Sequence, residues 1–213
     1  MAVIATPPKT AVARPIRSAD VSDIFEQDHA KYRIKAGRLA GVCIARAFPK
    51  PPSKAQGLIA QAEGDTEGEA IAALMTKIAA RDVERKSVRR WEERVSLFVP
   101  SEEEFVEALF QTPISRGQTA ILRAQAIARE DGSTIDQMGR AAGYKSSDTV
   151  MKVLCKVGDL LADYLGIDIE EGKGEDGDRA VGIFAVRTVP EADQPSVWIM
   201  HPELRNAVYR VMQ

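Results

Sequence analysis

Asp131–Gly166, DGSTIDQMGRAAGYKSSDTVMKVLCKVGDLLADYLG, decides the fold expected of this chain. Val150, Val153, Leu154, Val157, Leu160, Leu161, Tyr164 and Leu165 recur at spacings of three and four. That spacing predicts one apolar helix face from near Ser147 onward. Asp148, Lys152, Lys156, Asp159 and Asp163 fall on the other side. A shorter helix is predicted over Ile135–Ala142, followed by a turn at Gly143-Tyr144. Ser133 with Asp136 fits a capping box, and Ser146 or Ser147 can cap the longer helix. Gly143 and Gly166 suit the left-handed position that ends a helix. Gly158 sits mid-helix, where glycine costs about 1 kcal/mol relative to alanine. It shares a strip with Cys155 and Ala162, so another helix is expected to approach closely there. Two helices joined by a tight glycine turn form a helix-turn-helix; the plainer alternative is a helical hairpin in an all-α core.

Working outward, Ala180–Val189 (AVGIFAVRTV) and Ser196–Met200 (SVWIM) read as two strands joined by PEADQP. A helix-turn-helix followed by such a hairpin has the order of a winged helix, with the wing at Pro190–Pro195. Pro202 then opens a last helix. Upstream, Ser101 with Glu104 forms a capping box before a short helix, and Arg116–Glu130 reads as the first helix of the C-terminal domain.

Gly143-Tyr144-Lys145, Gly158, Leu161-Ala162-Asp163 and Leu165-Gly166 resemble a winged-helix domain of bacterial proteins. That domain often lies beside His-Asn-His nucleases of the methyl-cytosine restriction type. The likeness extends back toward Pro113 and forward to Trp198, somewhat less than half the chain. The family tends to carry Asn where this chain has Met151, and Tyr-Gly where it has Leu154-Cys155. The resemblance implies a winged-helix fold and DNA binding without the nuclease, because the chain's two histidines, His29 and His201, make no His-rich metal motif.

Before this domain the expected organisation is a flexible arm over 1–17, a helical domain over 18–99 and the winged-helix domain over 100–213. The fold class expected is therefore mainly α with a small β-hairpin. Phe25, His29, Tyr32, Ala36, Leu39 and Cys43 alternate at spacings of four and three, predicting a helix with a packed core histidine. Ser53–Ala62 reads as a weak helix, Glu67–Ala80 as a stronger one, and Ser87–Phe98 as a third with Trp91 in the core. Arg81, Arg85 and Arg89 share a face, read as a solvated strip partly neutralised by Glu84, Glu92 and Glu93.

The 213 residues carry a formal net charge of −2, unevenly distributed. Met1–Lys54 holds ten basic and four acidic residues; the remainder holds 19 and 27. Between Lys31 and Lys54 there is no acidic residue at all. Such a segment is either an electrostatic footprint for nucleic acid or a surface that docks on acidic parts of the chain or a partner. The loop DIEEGKGEDGDR after Ile167 is acidic and lacks the ligand spacing of a calcium loop. No apolar run has the length of a membrane span, and Pro7-Pro8-Lys9 interrupts any secretory signal, so a cytoplasmic protein is expected.

No phosphate-binding glycine loop and no paired nucleophile is present in the sequence, so no catalytic residue, cofactor or metal ligand is nominated. The expected function is binding of duplex DNA, as a regulator or as the targeting subunit of a nucleic-acid-processing system. The alternative is a protein-interaction module, a homodimer or a partner's dock, because winged helices serve that role too. The DNA-contact candidates are Arg140, Tyr144, Lys145, Ser146, Ser147, Thr149 and Lys152 around the second helix start. Arg33, Lys35 and Arg38 in the basic segment complete the set.

Overall fold

The computed structural model describes residues 24–169, 176–188 and 194–212. The expected arm, residues 170–175 of the acidic loop and residues 190–193 of the wing lie outside them. The chain opens with strands β1 (Phe25–His29), β2 (Tyr32–Leu39), β3 (Val42–Pro49) and β4 (Ala60–Gly64) in one antiparallel sheet of order β1-β2-β3-β4. The mainly-α expectation is thereby overturned: the first half is a four-stranded sheet carrying a helix, and the whole is α/β.

The physical reason is a period of two. Tyr32, Ile34 and Ala36 on β2, and Cys43, Ala45 and Ala47 on β3, are buried on one face, while the residues between them turn outward. Ala40 and Gly41, at φ 52° and 90°, make the two-residue hairpin loop whose twist suits adjacent strands. His29, expected in a core, is exposed near the end of β1. Ser53–Ala62, expected to be helical, is extended and leads into β4.

Helix α1 (Glu67–Val88) lies across the inner face of this sheet and buries Ala70, Leu74 and Ile78 against it. Thr66 and Glu69 close its first turn as a reciprocal capping box. Gly64 permits the close turn from β4 into α1, since a Cβ there would lie 2.5 Å from the amide nitrogen of Ala70. Beyond α1, β5 (Arg90–Glu92) and β6 (Leu97–Val99) form a hairpin where a third helix is expected. Trp91 is consequently not in the core. It is 51% exposed and packs edge-on against Phe98, with ring centroids 4.9 Å apart.

The second half is built from α2 (Glu102–Gln111), α3 (Arg116–Ala128), α4 (Ile135–Ala142), α5 (Ser147–Leu165), α6 (Asp176–Gly182), β7 (Ala185–Arg187), β8 (Trp198–Met200) and α7 (Pro202–Val211). One core unites them, with Phe105, Ile121, Leu122, Met138, Leu154, Leu161, Ile183, Phe184 and Leu204 all fully enclosed. β7 and β8 pair antiparallel, and Ser133 adds a bridge to Trp198, so a third short segment joins this hairpin just before α4.

The arginine strip of α1 is not solvated. Arg81 and Arg85 bond Glu107 of α2, which also accepts from the Tyr164 hydroxyl of α5. Arg89 grips Glu104 with two nitrogens, at 2.7 and 3.1 Å, and donates to the Leu165 carbonyl at 3.0 Å. Burial pushes Glu107 up, but the Tyr164 hydroxyl and the Arg85 and Arg81 guanidinium groups outweigh it and hold the carboxyl below its ordinary range. The partners expected in sequence, Glu84, Glu92 and Glu93, are replaced by residues of α2.

His201 caps the same architecture. It is 2% exposed, and its Nε2 lies 3.1 Å from the Gly182 carbonyl. Burial lowers the imidazole pKa despite that bond. The unfolded chain therefore takes up a proton near pH ~6.5 that the folded chain refuses. Thermal melts between pH 7.5 and 5.5 should show stability falling as pH drops through this window, and His201→Asn should flatten the dependence. An unchanged slope in that variant would exclude His201 as its source.

Candidate nucleic-acid interface

α4 and α5 are joined by a four-residue turn, 143–146. Gly143 ends α4 at φ 75° in the left-handed region, where a side chain would be strained, and the Tyr144 amide closes the turn onto the Gly139 carbonyl at 2.8 Å. The cap of α4 is shifted by one residue from the Ser133–Asp136 pair expected: Thr134 and Gln137 form the box, and Ser133 is committed to the bridge with Trp198. Asp136 instead accepts from the Ser147 hydroxyl at 3.2 Å, tying the start of α5 to α4.

α5 buries Val150, Leu154, Val157, Leu161 and Leu165 and leaves Asp148, Thr149, Lys152, Lys156, Asp159 and Asp163 exposed. Its start differs from those of α1, α2, α3 and α4, each of which has a reciprocal capping box. Ser146 occupies the cap position of α5 without a side-chain bond to the helix. The first amides of α5 thus have no side-chain acceptor from the cap, at the end where the helix dipole favours an anion.

The structure brings Arg140, Tyr144, Lys145, Ser146 and Ser147 around one shallow cleft of about 320 Å3, with Thr149 and Lys152 following on the exposed side of α5. Arg140, Lys145 and Lys152 are exposed, and none has an ion-pair or hydrogen-bond partner among the described residues. Tyr144 is half-buried. It packs on the core, its ring end so close to Gly117 that a Cβ there would collide with the hydroxyl. Its role is to seat the turn on α3, not to project from it.

That contact exposes a residue that sequence reading missed. Arg116, the exposed first residue of α3, adjoins the glycine under Tyr144 and so stands beside the turn. A glycine directly after a basic helix start was the available signal.

Arg33, Lys35 and Arg38 are not part of this cluster. The first two lie on the uncovered face of β2 and are paired: Glu26 is 3.1 Å from Arg33 and 3.3 Å from Lys35, and Asp28 is 3.7 Å from Arg33. Asp28 also takes Lys50 at 2.9 Å. Arg38, near the end of β2, places a guanidinium nitrogen 3.8 Å from the Cys43 sulfur. The acid-free run Lys31–Lys54 is therefore partly neutralised by the strand just before it. The sheet meets α5 at its far end, where Lys31 reaches Gly166 and lines a cleft with Asp163 and Tyr164. The helix rise separates the two ends by roughly 28 Å.

No protein-family model, no curated protein and no solved structure matches the chain. Among the described residues, no group of three His, Cys, Asp or Glu is placed to hold a metal ion. No helix among them is long and apolar enough to cross a membrane.

Proposed function

We propose that this chain is a DNA-binding protein that presents the first turn of α5 to a duplex, as a regulator or as the targeting subunit of a nucleic-acid-processing system. One observation carries the reading: three exposed cations without partners among the described residues, Arg140, Lys145 and Lys152, surround a helix start that has no side-chain cap. Lys145, Arg140 and the free amides would hold phosphates, while Ser147, Thr149 and Lys152 would reach base edges. Asp148 would repel phosphate unless it accepts from a cytosine amino group. The order α3, bridge at Ser133, α4, α5, β7, β8 is that of a winged helix and supports this use of α5. In this reading the chain binds and carries no chemistry of its own.

Lys145→Ala with Lys152→Ala should weaken binding to random-sequence duplex at least tenfold in fluorescence anisotropy. The slope of log affinity against log salt should fall by about 2, one unit per lost phosphate contact. Unchanged binding in a folded double variant would remove the assignment.

The exposed Trp91–Phe98 pair favours a second reading, a protein-docking module. The pair borders a groove of about 430 Å3 shared with Gly166 and Asp168. The same titration separates the two, since a pure docking module shows no salt-sensitive affinity for DNA.

A further inference from the structure

α1 covers one face of the four-stranded sheet; the other face is bare of any described element that buries it. On the bare face the strand register sets Glu26, Lys35, Arg46 and Gln61 in one row across β1–β4. Lys35 and Arg46 are thus like charges directly opposed, an arrangement that weakens a sheet. Lys35 is held by Glu26, but the partner of Arg46 is the neutral amide of Gln61, 2.8 Å away. Glu26 is itself shared with Arg33, so the centre of the face keeps an excess of positive charge. Ile44 and Phe48 flank Arg46 on β3, on the same face and half-exposed. A groove of about 230 Å3 runs over these residues, Gly37 and Ile24.

Gly37 is the second, independent observation. It lies in a strand paired on both sides, and its φ is not left-handed. A Cβ there would meet nothing nearer than the Cα of Ile24, at 3.9 Å. The fold has no steric use for glycine at this position, and glycine weakens a strand interior. A ligand that must approach the backbone closely has such a use.

We propose that this face is a second nucleic-acid site, which takes a single strand with its phosphates on Arg46 and Lys35 and its bases over Gly37, Ile44 and Phe48. A duplex offers phosphate rims and groove edges, for which a flat apolar floor is of little use; the unstacked bases of a single strand present the faces such a floor accepts. Glu63 on β4 and Asp28 on β1 bear on the edges of the face and repel phosphate, so the strand crosses at β2 and β3. The site lies at the opposite end of α5 from the reading turn. It rests on the DNA-binding reading above and extends it to a strand leaving the duplex.

The test is anisotropy of the full chain with a fluorescein-labelled deoxythymidine oligomer of roughly twenty nucleotides, and with a duplex of equal length. Lys35→Gln with Arg46→Gln should lose about tenfold or more on the single strand and retain the duplex. Gly37→Val, which changes no charge, should also lose about tenfold on the single strand alone. Circular dichroism melts confirm that both variants fold. The Lys145/Lys152 variant should do the reverse, so failure of the α5 reading shows as intact duplex binding there while the sheet variants still lose the single strand. No single-strand binding by the parent chain, or binding unchanged in both sheet variants, overturns the proposal. So does displacement by polyglutamate as effective as by unlabelled oligomer, which would show that the face reads charge alone.

Discussion

Glu104→Ala is expected to destabilise the protein by about 3–5 kcal/mol, because it strands a buried guanidinium. The Glu104 side chain is 3% exposed and that of Arg89 9%, so neither charge has water to fall back on. Glu104 also accepts the Ser101 amide at 3.1 Å as the reciprocal half of the α2 cap. Glu104→Gln separates the two roles. The amide oxygen can still cap α2, so the difference between the variants measures the cap, about 1 kcal/mol, and the remainder measures the pair. Chemical denaturation followed by far-ultraviolet circular dichroism is the readout. A loss below about 1 kcal/mol for Glu104→Ala would place this contact with exposed ion pairs, which contribute little.

Gly158→Ala should also destabilise strongly, although alanine is the better helix former. A methyl at Gly158 would run into the carbonyl of Ala180 and lie 3.2 Å from its Cα. The obstruction is backbone of α6, not a side chain that can swing aside. Propensity favours alanine by about 1 kcal/mol, whereas overpacking of this kind costs about 1–3 kcal/mol or more, so the net sign is a loss. Alanine at the exposed Lys156, two residues away, gives the baseline for a harmless change in α5. A Gly158→Ala protein that melts at or above the parent temperature would show that α6 shifts at no cost.

The approach at Gly158 was legible in the sequence, because a glycine inside a strongly periodic helix weakens it and is kept where a neighbour packs tightly. α4 and α5 were legible for the related reason that large aliphatic residues mark their buried stripe. The sheet was not. Its inward positions are mostly Ala36, Cys43, Ala45, Ala47 and Ala60, small residues whose alternation barely registers as hydrophobic periodicity. Phe25 and Leu39, large enough to imitate a helical stripe, are exposed. The Ala40-Gly41 loop was the better guide, since two adjacent residues in the left-handed region make a hairpin.

The candidate interface divides along the same line. Local sequence pointed to the turn and start of α5, but Tyr144 was misjudged because its partner, Gly117, is 27 positions earlier in the chain. The acid-free basic run looked stronger than it is, because strand pairing folds Glu26 and Asp28 back across it. Charge counted along a chain misses neutralisation supplied by a neighbouring strand.

The contact among Arg81, Arg85, Arg89, Glu104 and Glu107 also decides where this polypeptide can be divided. Pro100 invites a cut, lying between a hairpin and a capped helix. Severed there, the leading fragment would bear three naked arginines along one helix, and the trailing fragment two carboxylates with no counterions. Each half would be the other's best ligand. The sheet and the α5 turn are thus held at a set distance, and a strand gripped at one end of the molecule meets the other end at a geometry fixed in advance.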